Sequence, residues 1–171
     1  PINNKTMKKD ILSNTLIAMA VVLLASCTSN DPEKLIVGTW EGVSRVELID
    51  GSAFPTVIDY ENQTVTYDAN AWQEKTEEYP IKRTLTLSEN GKLTDTFINT
   101  KIGVVVRVNE GDYELTENGQ ELSFFYPTES VDYKVEIQNL TRHKLEIVTT
   151  EKHPIGNDGY YLFFVTTTYK R

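Results

Sequence analysis

Apolar and polar residues alternate with a period of two along most of the chain after residue 33. Such alternation is typical of half-buried β-strands rather than helices. It predicts strands over Thr39–Ile49, Ile81–Ser88, Lys92–Ile98, Ile102–Val108, Asp112–Glu117, Gln120–Tyr126, Val131–Asn139, Lys144–Thr150 and Tyr160–Lys170, with Gly111 separating two of them. Many short strands at regular spacing favour an antiparallel barrel or sandwich, so we expect an all-β domain.

The hairpin at Asn118-Gly119 has a register that the sequence itself specifies. A two-residue turn there places Leu115 opposite Leu122 and Tyr113 opposite Phe124, so apolar residues meet across the strands.

A two-residue turn at Asn90-Gly91 fails the same test, because it sets Leu87 against a threonine. A three-residue loop with Gly91 in the left-handed conformation instead places Leu87 opposite Leu93. This register also puts Arg83 and Asp95 on the face of the leucines, where two charges are unexpected.

Residues 51–80 give mixed patterns. Thr56–Tyr60 and Thr64–Tyr67 suit short strands, and Asp68 suits the cap of a helical turn through Trp72–Glu78. A loop of this length is often functional. A peripheral extra hairpin is the alternative interpretation.

The N-terminus has the order of a secretory signal peptide. Lys8 and Lys9 precede the uncharged run Leu16–Leu24, and Ala25 and Ser26 precede Cys27. The run has nine residues, whereas a membrane span needs about 20. We therefore expect residues 1–26 to be a helical signal peptide that is removed.

Leu24-Ala25-Ser26-Cys27 resembles the lipobox of bacterial lipoproteins. The resemblance implies that Cys27 is lipidated and becomes the first residue of the mature protein, with residues 27–33 as a tether. Acyl chains then hold the chain on a membrane of the cell envelope. The outer membrane, on its periplasmic or surface face, is favoured over the inner membrane. A buried cysteine in an apolar helix is the alternative.

Gly38-Thr39-Trp40 resembles the opening motif of lipocalin and calycin barrels. Together with Asn90-Gly91 and Tyr169-Lys170-Arg171, it makes the chain similar to the lipocalin-like domain of many Bacteroidota lipoproteins. The resemblance implies an up-and-down barrel of about eight strands over residues 34–171. It also implies that Trp40 plugs the closed end and that Arg171 or Lys170 lies across its indole. The sequence shows neither the disulfide nor the C-terminal helix of true lipocalins. The resemblance is therefore not used to assign lipocalin ligands to this chain.

Net charge argues against some functions. The chain has 17 Lys+Arg and 25 Asp+Glu, and removal of residues 1–26 takes away three Lys and one Asp, leaving a net charge of −10. An acidic surface repels phosphates, so nucleic acid is not an expected partner. No zinc, nucleotide-binding or hydrolase motif occurs. We predict no metal, no cofactor and no enzymatic activity, with His143 in a turn and His153 in a loop.

Binding of a small, partly apolar ligand in the barrel is the leading hypothesis. The apolar members of the alternations are the inward candidates: Val46, Leu85, Phe97, Val106, Phe124, Ile137, Ile147 and Phe163. The alternative is a protein-interaction or inhibitor module whose barrel is filled by side chains. Arg83 and Asp95 either pair with each other or meet a polar ligand at the mouth, and we hypothesise the ligand contact.

Overall fold

The structure, a computed structural model, describes residues 31–49, 54–69, 73–116, 118–127, 132–155 and 159–171. The predicted signal peptide and Cys27 lie outside them. The described chain has one short helix, α1 (Pro32–Ile36). Its eleven strands are β1 (Gly38–Ile49), β2 (Thr56–Asp59), β3 (Thr64–Asp68), β4 (Glu74–Glu78), β5 (Ile81–Leu87), β6 (Lys92–Asn99), β7 (Val104–Leu115), β8 (Glu121–Phe125), β9 (Asp132–Leu140), β10 (Lys144–Ile155) and β11 (Gly159–Lys170).

Eight of the strands form a closed antiparallel barrel, which confirms the predicted fold class. Strands β5 to β11 follow one another as neighbours, β1 pairs with β5, and β11 pairs back onto β1. Closure gives the first and last barrel strands a partner on both sides, so neither of these two strands is an open edge.

Strands β2, β3 and β4 form a meander that continues from β1 outside the barrel. The predicted helical turn through Trp72–Glu78 is wrong at its described end, because β4 pairs antiparallel with β3. The Asp68 carboxylate accepts the Gln73 N–H at 3.3 Å, but Asp68 is the last residue of β3 and Gln73 directly precedes β4, so the bond does not cap a helix. Every β4 side chain is exposed, so no hydrophobic periodicity distinguished strand from helix.

Both hairpin registers expected from the sequence are confirmed. Leu87 lies opposite Leu93, with Gly91 at φ 76°, and Leu115 lies opposite Leu122. In each case one residue of slip would turn the apolar side chains away from the core.

The predicted break at Gly111 is absent, because residues 104–115 form the single strand β7. A Cβ on Gly111 would lie 2.3 Å from the Phe125 carbonyl oxygen, so glycine permits close approach of β8 rather than a turn. Strand β10 likewise continues beyond Thr150 to Ile155, so His153 lies in a strand and not in a loop.

The core occupies the end of the barrel at which β1 begins. Its buried residues are Ile36, Trp40, Leu85, Leu87, Leu93, Leu122, Phe124, Val135, Leu145, Ile147 and Tyr169. Helix α1 starts where the Asp31 carboxylate accepts the Glu33 N–H, and it buries Ile36 against this core. Within the described residues, no helix has the length and apolar character to cross a bilayer.

Candidate ligand-binding site

The closed end of the barrel is sealed by Trp40 and Arg171. Trp40 is fully buried and donates its indole N–H to the Ile36 carbonyl at 2.8 Å. The Arg171 Cζ lies 3.9 Å from the centre of the indole ring, the contact that the family resemblance implies. Arg171 also donates to the Val37 carbonyl at 2.7 Å and to the Arg142 carbonyl at 3.2 Å, so it ties the last strand to the first.

Gly38 makes room for this arginine. Its φ is +138°, a conformation that side chains rarely adopt, and a Cβ there would lie 2.6 Å from Arg171 Nη1. Glycine at position 38 therefore allows the Arg171 side chain to pack directly against the backbone at the start of β1.

Above the closed end, inward side chains form rows across β5, β6 and β7 because strand partners lie side by side. The rows change from apolar to charged along the barrel: Leu87–Leu93–Gly111, then Leu85–Asp95–Asn109, then Arg83–Phe97–Arg107. The interior is therefore apolar near the closed end and polar towards the mouth.

A partly open cavity of about 250 Å³ occupies this polar region. Aromatic, apolar, hydroxyl-bearing and charged side chains line it: Arg45, Arg83, Asp95, Phe97, Arg107, Asn109, Phe124, Tyr126, Tyr133, Val135, Ile147, Thr149, Val165 and Thr167. Its volume is slightly below the range of ordinary ligand sites, which hold about 300–1,000 Å³.

Arg83 and Asp95 pair with each other at the cavity floor. Arg83 Nε donates to Asp95 Oδ1 at 3.0 Å, and Nη2 donates to Oδ2 at 2.9 Å. The Arg83 guanidinium also lies 5.1 Å from the Phe97 ring centre and 5.3 Å from that of Tyr169. Of the two alternatives for the buried charges, mutual pairing is the one observed, and both side chains still line the cavity.

The Arg83 guanidinium stays positively charged at any ordinary pH. Burial disfavours the charged guanidinium, but Tyr169 and Asp95 outweigh burial and raise the pKa of Arg83. Burial also raises the pKa of Tyr169, whose hydroxyl is the buried side-chain group without a hydrogen-bond partner in the described chain.

The predicted inward orientation of Val46 is wrong. A β-bulge between Gly42 and Ser44 shifts the register of β1 by one residue, so the alternation that begins at Trp40 is inverted. Arg45 then lies opposite buried Thr167 and lines the cavity, while Val46 points to the outer face. A glycine inside the strand pattern was the sequence feature that could have marked the bulge.

The predicted inward orientation of Val106 is also wrong. Strand β7 is continuous, so alternate residues lie on the same face of the barrel. Buried Gly111 and core-packed Tyr113 show which face is the inner one, and Arg107 and Asn109 lie on that face. Val106 lies at a register irregularity of β7 and is 52% exposed. Arg107 Nε donates to Asn109 Oδ1 at 2.9 Å, and its guanidinium lies 5.7 Å from the Phe97 ring centre.

The other predicted ligand-binding residues lie at several levels of the interior. Phe97, Phe124 and Ile147 line the cavity. Leu85 and Ile137 belong to the closed-end packing, the first buried and the second partly buried. Phe163 is half-buried and lies opposite Ile49, nearer the mouth.

A second, lateral pocket of about 360 Å³ opens where β1 leaves β5 to pair with β2. Buried Tyr60 fills the gap between the strands, and a Cβ on Gly42 would lie 3.1 Å from its ring. Arg83 lines this pocket as well as the central cavity, so it forms part of the wall between them.

One outer edge of the barrel is apolar and exposed. Among the described residues, β8 pairs with β7 only from Asp112 to Leu115, so residues 104–111 have β6 on one side and no strand on the other. Val104, Val105, Val106 and Val108 on this segment are each about half exposed. We call this segment the β7 edge.

Other chemistry is sparse in the part of the chain that the structure describes. It holds no group of three or more His, Cys, Asp or Glu side chains suited to a metal ion. His143 lies exposed in the turn before β10, as predicted. No protein-family model matches the chain, and no curated protein matches it.

Proposed function

We propose that the protein is a lipid-anchored lipocalin-like lipoprotein of the bacterial cell envelope that binds a small, partly apolar molecule inside its barrel. The lipobox-like residues before Cys27 and the resemblance to the lipocalin-like lipoproteins of Bacteroidota support the anchored part. The observation that carries the binding part is the interior cavity, because it combines aromatic walls with a few convergent polar groups.

The position of α1 bears on how an anchored barrel would stand. Pro32 packs on Gly119 in the β7–β8 turn, at the closed end, where a Cβ on Gly119 would lie 2.5 Å from the proline ring. Cys27 precedes Asp31 by four residues, which span at most about 14 Å. A lipid on Cys27 would therefore hold the closed end near the membrane and leave the mouth facing away.

Native mass spectrometry of the purified full chain tests the ligand. A retained small molecule is expected, and Thr149→Trp should displace it because Thr149 lines the cavity. Thr150→Trp is the matched control, since Thr150 is exposed on the opposite face of β10. If both variants retain the small molecule, or if none of the three chains retains one, the result would count against a ligand in the barrel.

The anchor is tested separately by the mass of the membrane-extracted protein. We expect the mass of a chain beginning at Cys27 plus a diacylglyceryl group, and a Cys27→Ser chain should lack that mass. An unmodified thiol in the mature chain would refute lipidation.

A second candidate function, protein interaction, is favoured by the β7 edge. Unpaired strand edges with exposed valines recruit further strands. The occupant in this candidate function is a second copy of the chain, since antiparallel self-pairing centred on Val105 would set Val104 against Val106. Sedimentation velocity should then show a dimer that Val105→Lys abolishes, whereas a monomer at all concentrations would count against this candidate.

A further inference from the structure

One wall of the central cavity is formed by β1, β11 and β10, and it carries hydrogen-bonding groups beside apolar ones. Arg45 lies opposite Thr167, and Thr167 lies opposite Ile147 on the next strand. All three line the cavity, so a guanidinium, a hydroxyl and an aliphatic side chain stand side by side in one row. A molecule in the cavity therefore meets polar groups and apolar surface in the same wall.

The Thr167 hydroxyl indicates a polar contact in this row. Thr167 is 4% exposed, and the described part of the chain offers its hydroxyl no hydrogen-bond partner. Buried hydroxyls in proteins are normally hydrogen-bonded, because burial without a partner is costly. Since Thr167 lines the cavity, a polar atom of a ligand can supply the missing hydrogen bond.

Arg45 presents further donors beside this hydroxyl. Its Nε donates to Glu47 Oε1 at 2.5 Å, and its two Nη groups have no hydrogen bond within the described residues. A guanidinium has donors only, whereas a threonine hydroxyl can donate or accept. A ligand atom that contacts both side chains is therefore an acceptor, such as the oxygen of a carbonyl group.

The ion pairs of the lining favour an uncharged acceptor. Glu47 pairs with Arg45, and Asp95 pairs with Arg83 through two hydrogen bonds. A carboxylate ligand on Arg45 would share that guanidinium with the Glu47 carboxylate, and like charges disfavour each other. An uncharged ligand also enters a partly enclosed cavity without the cost of removing a charge from water.

Aromatic side chains face this wall from across the barrel. Because eight strands close the ring, strands four places apart lie opposite each other, so β6 faces β10 and β8 faces β1. Phe97 lies on β6, Phe124 lies on β8, and Tyr133 pairs with Phe124 from β9. All three line the cavity, and aromatic rings pack well against a further ring in offset or edge-to-face geometry.

Resting on the proposed ligand-binding function, we infer that the ligand is a compact, uncharged aromatic compound that carries a carbonyl group. The carbonyl oxygen accepts hydrogen bonds from Arg45 and from the Thr167 hydroxyl, and the ring packs against Phe97, Phe124 and Tyr133. A cavity of about 250 Å³ has room for a small ring system and not for a long-chain lipid.

Isothermal titration of the full chain with three probes that share one ring system tests the ligand class. 1-Indanone has the ring and the carbonyl, indane has the ring alone, and indane-1-carboxylate has the ring and a negative charge. 1-Indanone is expected to bind about tenfold more tightly than indane, since hydrogen bonds from a charged and a neutral donor contribute that much. The carboxylate is expected to bind no more tightly than the ketone.

Two variants test where the carbonyl binds. Thr167→Val keeps the shape of the side chain and removes its hydroxyl, so it should weaken 1-indanone binding about three- to tenfold and leave indane unchanged. Arg45→Met removes the charged donors and should weaken 1-indanone binding about tenfold or more. Thr166→Val is the matched control, because it makes the same change on the opposite face of β11, and it should bind like the parent chain.

The outcomes separate this inference from the function on which it rests. If indane binds as tightly as 1-indanone, or if both Thr167→Val and Arg45→Met keep full affinity for the ketone, the carbonyl contact is wrong although the barrel still binds ligands. Tightest binding of the carboxylate would overturn the uncharged class.

The native mass spectrum decides the case in which no probe binds. If Thr149→Trp still displaces a molecule that the parent chain retains, the inference fails and the proposed function stands. If the parent chain retains nothing, both fail. Circular dichroism of each variant shows that a loss of binding is not a loss of fold.

Discussion

Removal of Arg83 is the sharpest test of how the barrel accommodates its interior charges. Asp95 is 3% exposed as a residue, and its carboxylate receives two hydrogen bonds from Arg83 at 3.0 and 2.9 Å. Arg83→Leu would leave this carboxylate buried without the guanidinium that pairs with it in the described part of the chain. Breaking one side of a buried ion pair costs about 3–5 kcal/mol of unfolding free energy, because the remaining charge is desolvated without compensation.

Removing both partners should cost far less. Leucine at both positions gives up the attraction and the desolvation penalty together, so Arg83→Leu/Asp95→Leu is expected within about 2 kcal/mol of the parent chain. The changes in unfolding free energy of Arg83→Leu and Asp95→Leu should therefore not add up in the double variant. The double-mutant cycle should give a coupling energy of a few kcal/mol, at or above the upper end of the usual range of about 0.5–3 kcal/mol.

Guanidinium chloride unfolding, followed by the fluorescence of buried Trp40, measures these free energies. A cost below about 1 kcal/mol for Arg83→Leu, or additive single costs, would refute the account of a desolvated pair. If Arg83→Leu is more stable than the parent chain and binds ligand equally well, the pair also has no part in ligand contact.

The remaining predictions concern the closed end and the buried phenol. Arg171→Gln should lower the free energy of unfolding by about 1–3 kcal/mol, because it removes the cation over Trp40 and charged hydrogen bonds to backbone carbonyls. An unchanged midpoint in thermal or chemical unfolding would contradict barrel closure by this residue. Gly38→Ala should cost more than Gly103→Ala, because both glycines have positive φ but only Gly38 is packed, against Arg171; equal costs would contradict the packing argument. Burial raises the pKa of Tyr169, so its stabilising effect is full below pH 10 and is lost as the pH rises through the folded-state pKa. In an absorbance titration at alkaline pH, its ionisation should appear only with the loss of the β-sheet circular dichroism, whereas ionisation of all nine tyrosines in a folded barrel would contradict this.

Some contacts of the site could be anticipated because they depend on neighbouring strands in one hairpin. The loop that places Leu87 opposite Leu93 also places Arg83 diagonal to Asp95, and the structure pairs these charges. The pairing partner of an inward charge within a hairpin follows from local register alone.

Other contacts of the site depend on strands that are distant in sequence. The bulge in β1 arises where Gly42 and Ser44 meet β11, about 125 residues later, and it brings Arg45 into the cavity in place of Val46. The continuity of β7 turns Arg107 inward and Val106 outward, because Tyr113 at the far end of the same strand packs in the core. Alternation read within one segment does not contain this information.

The sequence by itself indicated an antiparallel all-β domain, either a barrel or a sandwich, because period-two alternation, turn residues and hairpin register are local properties. The choice of a barrel came from the family resemblance. Through the family resemblance the sequence also implied that Arg171 or Lys170 lies across Trp40, of which the structure shows Arg171, and that Cys27 carries a lipid. Only the tertiary structure decided that Arg45 and Arg107, rather than Val46 and Val106, face the cavity. The physical reason is that a bulge or an uninterrupted strand is chosen by pairing across the whole barrel, where one residue of shift exchanges the inner face for the outer.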